Sequence, residues 1–499
     1  MDETKSTAAS ARAGVRGRIN YKWIVLSVTT IGSLMAAIDG TIVTLALPDM
    51  MVNLHAELIE MIWVIMGYIL VSTVFLLTFG RVADMFGRVR MYNLGFVVFT
   101  IGSLLCGLSG SALQLILFRL VQGAGAAMMV VNSAALITEV FPPHERGRAL
   151  GINAVTWSIG GVFGPILGGF ILAVTDWRWI FFINIPIGIF GALWGYRALK
   201  EMSVRKREEK FDLVGAAAFS IGLSALLFAL TLGIDLSWTS LPIVSLFVLF
   251  VVMLAVFFWW ERRTASPVLD LSLFANRVYN FSVVSAMLQS LGLFAVSFLI
   301  VFYLQGVRGY DALTAALMLI PLSVVTSVVA PISGLVADRI GARVPATLGL
   351  LLQAAALWWF TRLTVTTSYV ELAAGLALMG LGGGMFFPSN TSAAMNAAPK
   401  NRLGIASATL ATLRQAGMVT SFALSLAVAA GSLPRDVMMQ LFVGNNVTLG
   451  SAPMQAFVIG MHSAFTVSLI LLLFAAVISM VRGREDRRSQ TALEQAPAE

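Results

Sequence analysis

The chain is poor in the residues from which soluble enzymes build their sites. One cysteine, Cys106, stands among 499 residues, which excludes an intrachain disulfide and a cysteine-based metal cluster and leaves packing as its role. Three histidines, His55, His144 and His462, are scattered without His-Glu-x-x-His spacing, so no metal site is expected and an intramembrane enzyme lacks its catalytic pair. None of the six lysines follows a glycine, so no phosphate-binding loop occurs, which argues against an ATP-driven pump. Charge is scarce as well. Only 12% of residues are charged and 58% are hydrophobic, with a mean hydropathy of +0.87; a soluble globule carries about twice that share of charge. The fold class is therefore all-α integral membrane. The net charge of +8 is matched by anionic membrane lipid and requires no nucleic acid.

What the chain has in abundance is long apolar runs. Stretches of about 20 apolar residues predict fourteen transmembrane helices, near 23–47, 58–79, 91–110, 112–137, 148–173, 177–197, 212–234, 240–260, 278–304, 312–334, 345–363, 368–390, 402–430 and 456–481. Basic loops stay on the cytoplasmic side. With both termini cytoplasmic, 27 of the 33 Lys and Arg residues lie inside, four lie outside (Arg178, Arg308, Arg362, Arg435) and two lie within helices (Arg119, Arg414). The expected location is thus the cell membrane, multi-pass. Residues 1–22 mix both signs of charge and the first apolar run is too long for a cleaved signal, so the first helix is expected to stay as an anchor.

A charged hairpin occurs twice. Gly80-Arg-Val-Ala-Asp84-Met-Phe-Gly87-Arg88 returns 254 residues later as Gly334-Leu-Val-Ala-Asp338-Arg-Ile-Gly341-Ala342, and Arg146 falls opposite Arg402 at nearly the same offset. Such a repeat marks two related halves, the usual plan of a transporter. Six helices with short loops need only about 190 residues, so two helices are inserted. The expected organisation is a cytoplasmic segment 1–22, a six-helix half 23–197, an inserted pair 212–260, a second six-helix half 278–481 and a cytoplasmic tail 482–499. The inserted pair has no ionisable residue within its apolar spans, which suits a structural or lipid-facing role. A long outer connection, 431–455, contains Leu433–Phe442 in a pattern that suits a short amphipathic surface helix.

Several motifs occur in a telling order. They are Ala37-Ile-Asp39-Gly-Thr41-Ile-Val43-Thr-Leu-Ala-Leu47-Pro48, the hairpin at 80–90, Phe118-Arg119-Leu-Val-Gln122-Gly123-Ala-Gly125, Gly160-Gly161-Val-Phe-Gly164-Pro165-Ile-Leu-Gly168-Gly169, and Asp176-Trp-Arg178-Trp-Ile-Phe-Phe-Ile-Asn184-Ile-Pro186. Together they resemble the major facilitator superfamily, and within it the fourteen-helix drug:proton antiporters of the EmrB/QacA type. The hairpin resembles motif A of that superfamily, the stretch from Phe118 motif B, and the glycine-rich stretch motif C, associated with antiporters. The resemblance implies proton-coupled efflux of hydrophobic or amphipathic, often cationic, compounds by alternating access. It implies no cofactor beyond the proton gradient, and a monomer, with an adaptor protein as a possible addition. The chain departs from dication exporters, because 402–430 has no acidic residue within the membrane and 456–481 offers only His462.

An ionisable side chain at the bilayer centre costs about 2.5–3.5 kcal/mol on insertion scales, so each one needs a reason. Asp39 and Arg119 lie roughly 12 and 10 Å below the outer ends of their helices at 1.5 Å per residue. At that common depth they can meet. Asp39 is the candidate proton carrier, with a static ion pair as the alternative; Arg119 either joins the proton step or holds backbone carbonyls. Arg414, near the midplane, is a substrate contact or a buried Arg tied to carbonyls. His462 is a packing residue or a relay. Asp84, Gly87 and Arg88, with Gly80, form a candidate cytoplasmic lock for which Glu139 is the partner of Arg88, and Asp338 and Gly341 serve in the second half, weakened by Ala342 in place of an arginine. The alternative is that these charges only fix topology. Gly160, Gly164, Gly168 and Gly169 with Pro165 give a close, bendable seam or a static packing motif.

Met35, Tyr68, Trp157, Gln289, Phe294, Met385 and Arg414, with Phe386 beside them, are the candidate substrate contacts, because adaptable Met and flat aromatic faces suit varied amphipathic molecules. Competing readings are export of one endogenous metabolite, lipid or siderophore, and a non-transporting membrane receptor or scaffold, which needs no acidic carrier.

Overall fold

The computed structural model describes residues 3–201, 212–264, 269, 271–399, 403–430 and 451–483. Every extended element among them is a helix. In hydrocarbon the backbone must satisfy its own hydrogen bonds, and helices do so within one segment. In chain order the helices are α1 Glu3–Asn53, α2 Leu58–Phe86, α3 Arg88–Gly107, α4 Ala112–Val140, α5 Pro143–Val174, α6 Trp179–Phe182 and α7 Asn184–Ala198. There follow α8 Leu213–Leu236, α9 Leu241–Glu261, α10 Arg277–Phe302, α11 Ala312–Met318, α12 Ile320–Ile340, α13 Arg343–Phe360, α14 Tyr369–Ala397, α15 Leu403–Ala430 and α16 Ser451–Val481.

The helix ends are written in the sequence. Ser111 accepts the Gln114 N–H at 3.3 Å to open α4, and Asn276 accepts the Val278 N–H at 2.9 Å to open α10. Ser368 does the same for Glu371 at the start of α14, and Pro143 occupies the first turn of α5, where its missing N–H costs nothing. Eleven segments among the described residues are long and apolar enough to cross a membrane. That is three fewer than the expected fourteen. The shortfall lies at α5, α13 and α15, which are helical over 32, 18 and 28 residues but are not among the eleven.

The chain divides into two compact units, Met1–Ala216 with Tyr310–Leu317, and Ala217–Gly309 with Met318–Glu499. In the first, α4 packs on both α2 and α3, and α1 packs along α5. In the second, α14 packs on both α12 and α13, and α10 along α15. The repeat read from the hairpins therefore recurs in the internal pairings of each unit. Glycine enables the same approach in both. A Cβ on Gly102 would come 2.8 Å from the Gln122 backbone and one on Gly123 2.6 Å from the Tyr68 carbonyl oxygen; in the second unit one on Gly349 would come 2.6 Å from the Gly382 carbonyl oxygen.

Helix α9 has a different character. Only Ile243, Phe257 and Glu261 are buried along it, and Val244, Val248, Val251 and Val252 are exposed, as befits a helix whose solvent is lipid. Residues Leu433–Phe442, Arg402 and the tail from 484 lie outside the described residues, as do the side chains of Asp84, Arg146 and Asp338.

Candidate functional site

Asp39 and Arg119 are fully buried at 0% and 1% exposure, and they meet. Arg119 Nη1 donates to Asp39 Oδ2 at 2.6 Å. The other carboxylate oxygen, Oδ1, accepts from Gln122 Nε2 at 2.8 Å and from Asn184 Nδ2 at 3.0 Å. Four elements of the first unit thus converge: α1 brings the acid, α4 brings Arg119 and Gln122 one turn apart, α7 brings Asn184 at its first residue, and α2 closes the far side.

The guanidinium is held from several directions. Its Nε donates to the Val64 carbonyl at 3.1 Å, Nη1 also reaches Gln122 Oε1 at 2.7 Å, and its centre lies 4.1 Å over the Tyr68 ring. Arg119 thus holds a backbone carbonyl and pairs with the acid in one geometry. Charge-assisted bonds of this kind are about twice as strong as neutral ones, and a buried charge needs them, since leaving one partner alone costs about 3–5 kcal/mol. Asn184 Nδ2 also donates to Ser103 Oγ at 3.1 Å, and Ser103 Oγ donates to the Phe181 carbonyl at 2.8 Å. Cys106 packs beside this network, its Sγ 3.8 Å from Gln122 Oε1. Spacing alone assigns no role to Gln122, Asn184 or Ser103. The signal available was Gln122 three residues after Arg119, on the same helix face.

The glycines of α5 lie against the stretch of α1 that carries Asp39. A Cβ on Gly160 would overlap Ala37 Cβ, one on Gly164 would overlap the Thr41 hydroxyl, and one on Gly168 would come 2.8 Å from Ile42 Cγ1. Thr41 Oγ1 donates across the seam to the Gly160 carbonyl at 3.3 Å. Gly169 belongs to another face, where its Cβ would come 2.7 Å from Leu313 Cα. Helix α5 runs unbroken through Pro165.

At the α2–α3 hairpin, Arg88 Nη1 lies 3.7 Å from Glu139 Oε2. The stronger feature there is Glu201. Its carboxylate accepts the N–H groups of Arg88 at 2.9 Å, Val89 at 3.2 Å and Arg90 at 3.3 Å, filling the positive amino end of α3. Gly87 turns with φ +112°, and any Cβ there would strike Glu201; Gly341 repeats the conformation at φ +94°. Gly80 is tighter than Gly334: a Cβ on it would come 3.1 Å from Val131 Cγ2, whereas one on Gly334 meets nothing within 4 Å. Ala342, in place of Arg88, is buried in an alanine cluster with Ala337 and Ala393. In the second unit buried Arg482, just past the end of α16, donates to Ser282 Oγ at 3.2 Å and Asn390 Oδ1 at 3.1 Å. These contacts predict an order of stability loss. Gly87→Ala should cost most, about 1–3 kcal/mol for a non-glycine residue in that conformation. Glu201→Ala should cost about 1 kcal/mol as a lost cap, and Glu139→Gln less than about 1 kcal/mol, as for a partly exposed pair. Thermal unfolding of the purified variants reads the ranking, and a Glu139→Gln loss exceeding the other two would contradict it.

The candidate substrate contacts are divided between the two units. Met35 is buried on α1, and Tyr68 is committed to Arg119. Trp157 on α5 is 41% exposed. In the second unit Gln289 Nε2 lies 3.5 Å from Gln353 Oε1, the Phe294 ring packs edge-on to Phe422, and the Met385 carbonyl accepts from Ser333 at 3.0 Å. Phe386 is buried. Arg414 stands 4.7 Å over the Phe387 ring, a cation–π contact absent from both readings of that residue. His462 Nε2 is 2.7 Å from the Leu363 carbonyl oxygen. Among the described residues no group of three or more His, Cys, Asp or Glu side chains is placed to hold a metal.

A buried acid–arginine pair on glycine-packed helices, repeated packing in two units and, among the described residues, eleven helical segments long and apolar enough to cross a membrane are the plan of a polytopic secondary transporter. The family model described as Major Facilitator Superfamily matches residues 29–422, and the chain belongs to that superfamily. Its relatives include multidrug-type transporters. Multidrug resistance protein Stp of Mycobacterium tuberculosis is 34% identical over 82% of this chain and 76% of its own. Riboflavin transporter RibZ of Clostridioides difficile is 30% identical over 82% of this chain and 88% of its own. Among solved structures, a bacterial homolog to the human lysosomal transporter Spinster, inward-facing and unoccupied, aligns with a TM-score of 0.64 at 18% identity, covering 96% of this chain and 99% of that one. The chain is accordingly a secondary active transporter of small hydrophobic or amphipathic solutes working by alternating access, and not an enzyme.

Proposed function

We propose that this transporter is a fourteen-span drug:proton antiporter of the EmrB/QacA type, exporting hydrophobic or amphipathic, often cationic, compounds across the cytoplasmic membrane with both termini cytoplasmic. Helices α5, α13 and α15 added to the eleven apolar spans give that count, and α8 and α9 are the pair inserted between halves 23–197 and 278–481. The observation that carries the coupling is the buried Asp39 carboxylate, held by Arg119, Gln122 and Asn184. Such an acid has a reason to exist at that depth if it binds and releases a proton once per cycle. The α2–α3 hairpin with Arg88, Glu139 and Glu201 serves as the lock at the cytoplasmic ends, and the α5 seam lets α1 move against it. The relative named for multidrug resistance supports a broad substrate range.

A second reading, export of one endogenous metabolite, is favoured by the relative named for riboflavin. A panel of unrelated fluorescent dyes separates the two in cells expressing the protein. Protection against several dyes, abolished by a protonophore, is the expected result; protection against one compound alone would move the assignment to the metabolite exporter.

A further inference from the structure

We infer that Asn184 is the amide that responds to the protonation of Asp39, donating to the carboxylate and, after a half-turn of its side chain, accepting from the acid. The inference rests on the proposal that Asp39 carries the proton. Among the described residues, the three side chains that hydrogen-bond to Asp39 are all donors in the present geometry: Arg119 Nη1 to Oδ2, and Gln122 Nε2 and Asn184 Nδ2 to Oδ1. This cage suits a carboxylate, an acceptor only; a carboxylic acid also carries an O–H that must donate. Gln122 Oε1 cannot take it without loss, since it already accepts from Arg119 Nη1 at 2.7 Å. Asn184 Oδ1 is different. It is buried on a side chain 1% exposed and has no hydrogen-bond partner among the described residues. An unsatisfied buried acceptor is rare and asks for a reason.

The amide carries donor and acceptor on one plane, so a half-turn exchanges them without moving the backbone. When a proton binds Oδ1 of Asp39, the new O–H faces the amide oxygen, and the Nδ2 group leaves. Arg119 keeps its bond to Oδ2 throughout. On deprotonation the amide turns back, and no bond between heavy atoms is made or broken. Ser103 takes part, because its hydroxyl accepts from Nδ2 in the present state; in the other state its single O–H, which now donates to the Phe181 carbonyl, turns to the Asn184 oxygen. Each orientation leaves one end of the amide unsatisfied, so neither dominates by a wide margin and the proton selects between them. Asn184 opens α7 directly after the break from α6 at Ile183, where the turn is transmitted to a helix joint. Among the described residues the other titratable groups facing the pair are Tyr68 from α2 and Cys106 from α3; α5 presents the glycines of its seam.

The test is the pH profile of ethidium efflux by the full-length protein in proteoliposomes under an imposed pH gradient. Asn184→Ala removes a bond to the charged form that is stronger than the bond it removes from the acid. The midpoint of the profile should therefore move alkaline by about one unit, a tenfold gain in proton affinity. Asn184→Ser, whose hydroxyl donates or accepts, should return the midpoint toward wild type. If Asn184→Ala does not fold, Ser103→Ala should shift the midpoint in the same direction by about threefold in proton affinity, as expected for a weaker neutral contact. A purely structural role would lower the yield of active protein and leave the midpoint in place; an unmoved midpoint in an active variant overturns the inference. Asp39→Asn separates this from the proposal beneath it: if that variant keeps the wild-type pH profile, Asp39 is not the carrier and the fault lies there.

Discussion

Asp39→Asn is expected to bring gradient-driven dye efflux down to the background of empty liposomes, a fall of at least about tenfold, while the protein remains folded. Asparagine matches aspartate in shape and keeps an oxygen that accepts from Arg119 Nη1; its NH2 replaces the oxygen that accepted from Gln122 and Asn184, and a half-turn of Asn184 brings an amide oxygen to meet it. What it loses is the ability to bind and release a proton. The buried guanidinium then lacks its counter-charge, which costs part of the roughly 3–5 kcal/mol attached to breaking a buried pair, offset by the Val64 carbonyl and the Tyr68 ring. The variant should therefore be less stable yet isolable. A second measurement makes the assignment specific: downhill exchange of dye without a pH gradient should persist, because that process requires the halves to move but not a proton to pass. Unchanged gradient-driven efflux in the variant would remove Asp39 as the carrier. Loss of both processes together would point to a structural pair.

Much of this site could be read from the chain before any coordinates. Equal depth put Asp39 and Arg119 at one level, and at one level an acid and a base in hydrocarbon have strong cause to meet. The repeated hairpin likewise announced two units, and Gly87 and Gly341 share the same positive-φ conformation. What escaped were the neutral partners. Gln122, Asn184 and Ser103 carry no charge, so they raise no alarm against the hydrocarbon background, although they complete the carboxylate's hydrogen bonds. Glu201 escaped for another reason: it lies 113 residues from the N–H it caps on Arg88, a distance only the fold can close. The substrate contacts were hard to read from the chain for a physical reason too. Met and aromatic residues pack helices as readily as they line a cavity, and their spacing does not distinguish the two.

Gly160→Val should be strongly damaging, and its neighbour Gly161→Ala should be harmless. The two glycines are adjacent, yet a Cβ on Gly160 would overlap Ala37 and reach within 3.1 Å of the Ile38 nitrogen, whereas one on Gly161 meets nothing within 4 Å. Backbone atoms cannot step aside as a side-chain tip can. Overpacking a close seam costs about 1–3 kcal/mol, and here the displaced strip of α1 includes the residue next to Asp39. Moving α1 outward lengthens the 2.6 Å contact to Arg119, and charge-assisted bonds weaken steeply outside their preferred geometry. Transport should thus fall by more than stability alone explains. Gly160→Val is expected to lose at least about tenfold in efflux per folded molecule, since 1.4 kcal/mol at the coupling site is already tenfold in an equilibrium constant. Gly161→Ala should keep wild-type efflux and gain slightly in helix stability, because alanine is favoured over glycine within a helix by about 1 kcal/mol. Efflux assays normalised to folded protein distinguish these outcomes. Equal losses in the two variants would mean that α5 tolerates no side chain on either face, and the seam against α1 would no longer explain its glycines.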